Sequence, residues 1–411
     1  MCQHHEVGAL VLLTERAQVI LIDVGLVAHG VVIHGVAEPP RPGGNGAPFG
    51  DIAQIPGKPE IAMSLSSTLN RKLATVPPKG KNIRASTRQK VPARPSLPPT
   101  ASVLGLGYYL PAEVMRNEPI AERIGVDHDW IVRRTGIRSR HRAAPDERLS
   151  DLAANAAKLA LEDAGVDASD IDLVLVATLS QDELTPNTAP QVAHAVGADR
   201  AGAIDLGAAC TGWLSGLSLA AAQIEAGRAE RVLLIGAEVL TRLTDYDDRT
   251  TAALWGDGAG AVMLGSEGEG AVGPVALDAD GGLADVIVAS HEDRKLRVEG
   301  HETFQSAVRR LSEATVTAIA RAGLELKDID LFVYHQANGR ILRAVAERLE
   351  LAPERVADYI GEVGNTSAAS IPLTLGLLRD DGRLRSDQRV LVAAIGAGFT
   401  WGAGTIEWGI P

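Results

Sequence analysis

Apolar and polar positions alternate most tellingly between Ile204 and Ile224. Ile204-Asp-Leu206 reads as a short buried strand, and small residues follow from Gly207 to Gly212. Leu214, Leu217, Leu219, Ala220, Ala221 and Ile224 then recur at helical spacing. The pattern predicts a strand, a tight turn and a helix, with Cys210 at or near the helix N-terminus. Ala101 to Pro111 reads as a strand and turn, Arg148–Ala164 as a helix starting near Ser150 or Asp151, and Ile171–Thr178 as a buried strand. Asp330 to Tyr334 reads as a strand that runs off into His335, with helical spacing resuming at Gly339. Gly364-Asn365-Thr366 ends a short segment ahead of a predicted helix over Ile371–Leu378.

Two pairs of these segments repeat in one register. Ala164-Gly165 and Asp170-Ile-Asp-Leu173 return as Ala322-Gly323 and Asp328-Ile-Asp-Leu331, an offset of 158 residues. Arg231-Val-Leu233 returns as Arg389-Val-Leu391 at the same offset. A duplicated α/β half, each with a central sheet covered by helices, accounts for both. In this register Cys210 corresponds to Ala368, so the halves differ in chemistry.

The pattern fails upstream. Residues 8–36 are apolar but interrupted by Glu15, Arg16, Asp23 and His29, too often for a membrane span. Met1 to Glu6 lacks the positive region of a signal peptide. From Ala37 to Thr100 the chain is rich in Pro, Gly, Ser and basic residues without periodicity, and residues 71–100 carry eight basic and no acidic side chains. Residues 1–100 therefore read as a disordered tail or an over-extended reading frame, with order beginning near Ala101.

Charge sharpens this division. Residues 1–100 hold 11 basic and 6 acidic side chains, and the remaining 311 hold 29 and 46, giving −12 overall. An acidic body argues against general nucleic-acid binding. Hydrophobic residues make up 45% and aromatics only 3%, with 43 Gly, which suits an α/β enzyme. Two cysteines, Cys2 and Cys210, build neither a disulfide framework nor a zinc site, and a reducing cytoplasm fits them. The ten His show no metal-ligand spacing, so no metal is expected.

The candidate chemistry joins the two halves. A lone Cys is more often a buried structural residue, but helix N-terminal N–H groups favour a thiolate. A His at a strand end faces the crevice where α/β proteins bind ligands. Alone, His335 reads as a satisfied histidine and Asn365 as a turn or cap residue. As a set, Cys210 can hold an acyl group covalently, while neutral His335 and Asn365 can donate to a developing oxyanion. Backbone N–H groups at Cys210 and in the Ile395-Gly-Ala-Gly398 turn can form a second hole.

On these residues the body resembles the β-ketoacyl-acyl-carrier-protein synthase III family of thiolase-fold condensing enzymes. The matching segments are Trp130–Ile137, Ala208–Gly212, Trp255–Gly260, His335–Asn338, Gly364–Ser370 and Gly398–Gly402, in the family order across about residues 101–409. The resemblance implies a five-layer αβαβα fold of two duplicated halves, residues 101–270 and 271–411, and a cytoplasmic homodimer. It implies acyl-CoA and malonyl-acyl carrier protein as substrates, no cofactor, and no nucleic-acid or membrane partner. Cys210 would take the acyl group, and His335 and Asn365 would stabilise the enolate left when malonyl loses CO2. Trp130 would stack on the CoA adenine with Arg134 and Arg249 near its phosphates. Phe304 and Asn338 would line the pantetheine channel, and Arg340 and Arg343 would receive the carrier protein.

The sequence also departs from the family. Asp247-Asp-Arg-Thr250 lacks the usual Gly after Arg249, and His301 stands where Asn is common. Trp255 replaces a usual Phe, Ile395 a common Phe, and Ala397 a common Gly. Thr185, from the other subunit, would border an acyl pocket with room beyond acetyl. Within the fold, a pathway-specific acyltransferase or priming synthase is the alternative. A papain-like protease shares the Cys, His, Asn order, but Ala-Ala-Cys210-Thr-Gly-Trp lacks that family's setting.

Overall fold

The computed structural model describes residues 100–411, so the extension expected over residues 1–100 lies outside them except for Thr100. Strand β1 (Ser102–Tyr109) is followed by the hairpin β2 (Glu113–Arg116) and β3 (Ser139–Arg142), which brackets α1 (Asn117–Arg123) and α2 (His128–Thr135). Then come α3 (Leu149–Ala164), β4 (Leu173–Ala177), α4 (Thr188–Val196), β5 (Gly202–Leu206), α5 (Gly212–Glu225), β6 (Arg231–Val239) and β7 (Asp257–Gly265). Short strands β8 (Ala271–Val272), β9 (Ala276–Ala279), β10 (Ile287–Ala289) and β11 (Leu296–Val298) lead to α6 (Gly300–Arg321). The chain ends with β12 (Leu331–Tyr334), α7 (Gly339–Arg348), α8 (Ile360–Val363), α9 (Ser370–Asp380), β13 (Arg389–Gly396) and β14 (Thr400–Glu407).

Two mixed sheets result. One has the order β1-β7-β6-β4-β5, the other β12-β13-β14-β8 with β9 also on β14. Strand alternation sorts their side chains into layers. Val232 and Leu234 of β6 pack inward with Val390 and Val392 of β13, against Leu214 and Leu217 of α5 and Ile371 and Leu375 of α9. Leu233 and Ile235 face outward onto α3 and α4, through Leu152, Ala156 and Val192. Leu391 and Ala393 face outward onto α6 and α7, through Leu311, Ala318 and Leu342. The order helix, sheet, helix, sheet, helix is the five-layer αβαβα fold.

The 158-residue offset recurs in the backbone. The 3-10 turns Ala209–Thr211 and Ser367–Ala369 start that far apart, as do β6 and β13. Ala209 and Ser367 are both left-handed with φ of 45°. The Asp172 carboxylate accepts from Arg231 N at 3.0 Å, and that of Asp330 from Arg389 N at 2.8 Å. This capping explains why β4 begins at Leu173 rather than Ile171: Asp170 closes a 3-10 turn and Asp172 is committed to the neighbouring strand.

The two turns contact the sheets at positions that admit no side chain. A Cβ on Gly236 of β6 would lie 2.2 Å from Ala368 O, and one on Gly396 of β13 would lie 2.9 Å from Cys210 N. Gly236→Ala is expected to lower stability by about 1–3 kcal/mol, the usual cost of overpacking. Gly281→Ala, with nothing near its Cβ, is the control. Equal urea-unfolding midpoints for the two variants would contradict this account of the close contact.

Candidate active site

Each candidate side chain is positioned by an element end. Cys210 sits in the 3-10 turn that runs directly into α5. Thr211 secures this turn, donating from Oγ1 to Ala208 O at 2.7 Å and pairing with Thr400 Oγ1 at 2.7 Å. His335 follows β12, its N–H bonded to Ala393 O of β13 at 2.8 Å. Asn365 follows Gly364, which ends α8 with φ of 69°. Its backbone bridges Trp255, donating to Leu254 O at 2.8 Å and accepting from Gly256 N at 3.0 Å.

The three converge on a cavity of about 70 Å³, also lined by Trp255, Ile395, Gly396 and Phe399. Asn365 is 5% exposed, and its amide orientation follows from its bonds: Oδ1 accepts from Ser367 N at 2.9 Å and Nδ2 donates to Ala337 O at 3.4 Å. One N–H of Nδ2 remains for the cavity. His335 is 1% exposed, and its Nδ1 is enclosed without a partner, leaving Nε2 as the accessible nitrogen. Burial alone pulls the imidazole down to about 3, so it is neutral at physiological pH.

Cys210 departs from expectation. Burial pushes its thiol up to about 12, against the Ser367 hydroxyl, which lowers it, and the charge of Glu238, which raises it further. Desolvation thus favours the neutral thiol at this position.

A larger cleft, about 640 Å³, lies alongside. Trp130, Arg134, Arg249, Phe304, Asn338 and Arg340 line it, and it shares Leu254, Val298, Thr303 and Ile341 with the Cys210 cavity. The guanidinium groups of Arg134 and Arg249 lie 4.5 and 4.8 Å from the Trp130 ring centroid, and that of Arg340 lies 5.4 Å from Phe304. Asn338 caps α7, its side chain accepting from Arg340 N at 2.9 Å. Arg340 and Arg343 are exposed three residues apart on α7. His301 joins the cleft wall.

Two residues stand apart from the cavity lining. Thr185 is exposed on the loop before α4. Ala397 lies just past Gly396, its carbonyl accepting from Thr400 Oγ1 at 3.1 Å. Gly396 itself abuts the Cys210 backbone, so the Ile395–Gly398 turn and the Cys210 turn lie side by side.

Family profiles described as 3-oxoacyl-[acyl-carrier-protein] synthase III and its C-terminal region match residues 204–281 and 319–408. A β-ketoacyl-[acyl-carrier-protein] synthase III of Bradyrhizobium diazoefficiens is 43% identical over 325 residues, covering 74% of this chain and 98% of the relative. The chain belongs to the β-ketoacyl-acyl-carrier-protein synthase III family. It is a condensing acyltransferase, which sets aside the papain-like reading. The synthase III crystal structure from Thermus thermophilus is similar with a TM-score of 0.73 and 41% identity, over 75% of this chain and all of that one. The priming β-ketosynthase of the R1128 polyketide pathway is similar with a TM-score of 0.73 and 35% identity, over 78% of this chain and all of that one. Among the described residues of this synthase III chain, no helix is long and apolar enough to cross a membrane.

Sequence reasoning missed Glu238, at the end of β6. It is fully buried and accepts from Ser180 Oγ at 2.5 Å, Thr178 Oγ1 at 3.2 Å and Leu179 N at 3.3 Å. Nothing in Ala237-Glu-Val239 marks it, because its donors come from the loop after β4, about 60 residues earlier. Burial raises its carboxyl from 4.5 to about 7, with the Ser180, Leu179, Ser367 and Thr178 bonds opposing. The folded state therefore keeps a proton that an unfolded Glu has lost, and this contribution to stability, present at low pH, disappears as pH rises through 7. Glu238→Gln should accordingly gain on wild type in unfolding free energy between pH 5 and 7, by about 1.4 kcal/mol per unit at most. A difference that is flat with pH would contradict the raised carboxyl.

Proposed function

We propose that this chain condenses a short acyl-CoA with malonyl-acyl carrier protein, giving 3-oxoacyl-acyl carrier protein, CoA and CO2, and so starts fatty acid synthesis. The observation that carries the reading is the convergence of Cys210, His335 and Asn365 on one small apolar cavity beside an aromatic and cationic cleft. The reading assigns the nucleophile to residues 101–270 and its partners to 271–411. It uses no cofactor and no metal, and it places the reaction in the cytoplasm.

In the first step the Cys210 sulfur attacks the acyl-CoA thioester, and the thiol proton leaves with CoA. Backbone N–H groups of Cys210 and Ala397 stabilise the tetrahedral oxyanion. In the second step the malonyl carboxylate departs as CO2, and the electron pair moves onto the thioester oxygen as an enolate. His335 Nε2–H and Asn365 Nδ2–H donate to that oxygen. A neutral imidazole is the form this task uses, because decarboxylation needs an oxyanion donor and no added strong base. The enolate carbon then attacks the acyl-Cys210 thioester, and the released sulfur regains a proton.

Substrate delivery uses the cleft. Trp130 stacks on the adenine with Arg134 and Arg249 at the phosphates, roles suited to a planar guanidinium. Phe304 and Asn338 line the path of the pantetheine arm. Arg340 and Arg343 are exposed cations on an acidic body, which favours docking of an acidic carrier protein. The homodimer forms through β5, the edge strand of its sheet, where Ile204 is 50% exposed beside the loop bearing Leu184 at 78%. Thr185 of that loop then borders the partner's acyl pocket.

Intact-protein mass spectrometry tests the reading. Acyl-CoA should leave one acyl adduct on Cys210, and malonyl-acyl carrier protein should discharge it as 3-oxoacyl carrier protein. An adduct that leaves only with another acceptor would make the chain a plain acyltransferase. Cys210→Ala should form no adduct, whereas His335→Ala and Asn365→Ala should acylate and then stall. Trp255→Ala, which enlarges the cavity, should move the preferred primer toward longer chains in the same assay. An unchanged primer profile would remove Trp255 from the pocket wall.

A further inference from the structure

We propose that Gln336 is the positioning residue that sets the spacing of His335 and Asn365, an inference that rests on the enolate role given to those two residues. Gln336 is fully buried, and its side chain uses every hydrogen-bonding position an amide offers. Nε2 donates to Tyr334 O at 2.9 Å and to Ala357 O at 3.2 Å. Oε1 accepts from Tyr359 N at 2.9 Å and Ile360 N at 3.1 Å. Its own backbone N–H donates to Ser370 Oγ at 2.7 Å.

These partners lie on the two segments that matter. Tyr334 directly precedes His335, so the first bond fixes the peptide that aims the imidazole. Tyr359 and Ile360 open α8, a single turn that ends at Gly364 and hands the chain to Asn365. The N–H groups at a helix start have no partner within the helix, and Gln336 supplies one for two of them. With only four residues in α8, a shift at its start passes to Asn365 with little to absorb it. Asn365 Nδ2 returns the connection by bonding Ala337 O, the residue after Gln336. The result is a closed circuit from His335 through Gln336 and α8 to Asn365 and back.

Cys210 makes none of these bonds and meets the circuit at Ser367, whose hydroxyl bonds the thiol and whose N–H donates to Asn365 Oδ1. Its turn is held by Thr211, Thr400 and Gly396. Loss of the Gln336 amide should therefore spare acylation and slow the malonyl-dependent step, a split that general destabilisation does not produce.

The test uses single-turnover kinetics on Gln336→Met, which keeps the side-chain length, and on the gentler Ser370→Ala. Acetyl-CoA loads Cys210, and malonyl-acyl carrier protein then discharges the preformed adduct. Loading should remain close to wild type while discharge in Gln336→Met falls by roughly tenfold to a hundredfold, as expected for a small misplacement of reacting groups. Ser370→Ala should show a smaller loss of the same kind. Wild-type discharge in either variant, or equal loss of loading and discharge in Ser370→Ala, would overturn the proposal. His335→Ala and Asn365→Ala run alongside: if they discharge normally, the enolate reading itself falls, whereas if they stall while Gln336→Met does not, only the role of Gln336 falls.

Discussion

Everything at this site depends on how closely two strands approach two turns. The central helices α5 and α9 lie between sheets, and their first residues, Gly212 to Leu214 and Ser370 to Thr374, are buried and must pack on strand backbone. Gly236 and Gly396 are where this happens, each under the turn of the opposite half. The nucleophile is thereby held by the sheet that carries His335, not by its own. A side chain at Gly396 would push on the Cys210 backbone itself, so geometry at the sulfur and packing between the halves are one constraint.

The electrostatic character of the cavity follows from the same packing. Buried between layers, His335 is neutral, Cys210 keeps its proton and Glu238 shares the neutral range with its ionised form. Charge is concentrated outside, on the arginines of the cleft. A developing oxyanion in the cavity therefore meets oriented N–H dipoles in a poorly hydrated setting, where such donors act most strongly.

Much of the architecture was legible because it repeats. The strand and helix periodicities of Ile204–Ile224 and the 158-residue offset carry the layer order, and local motifs mark Cys210, His335 and Asn365. Element ends were less legible: β4 starts two residues late because Asp172 is drawn to Arg231 of another strand. Glu238 and Arg140 were invisible for a related reason. Arg140 is wholly buried, donating to Ala253 O at 2.7 Å, yet it stands among Arg138 and Arg142 in a stretch that reads as surface charge. The raised thiol of Cys210 was not legible, because sequence places the helix start but not the desolvation around the sulfur. Thr185 lies exposed on a loop, and a single chain does not contain the pocket it was assigned to.

The left-handed residues Ala209 and Ser367 share the same φ, 158 positions apart. Only one of them precedes a nucleophile. Such a conformation costs a non-glycine residue on the order of 1–2 kcal/mol, and selection for thiol chemistry does not explain it at Ser367. The bend therefore belongs to the repeated half as such: it shapes the turn that carries the sulfur and the turn that follows the amide alike.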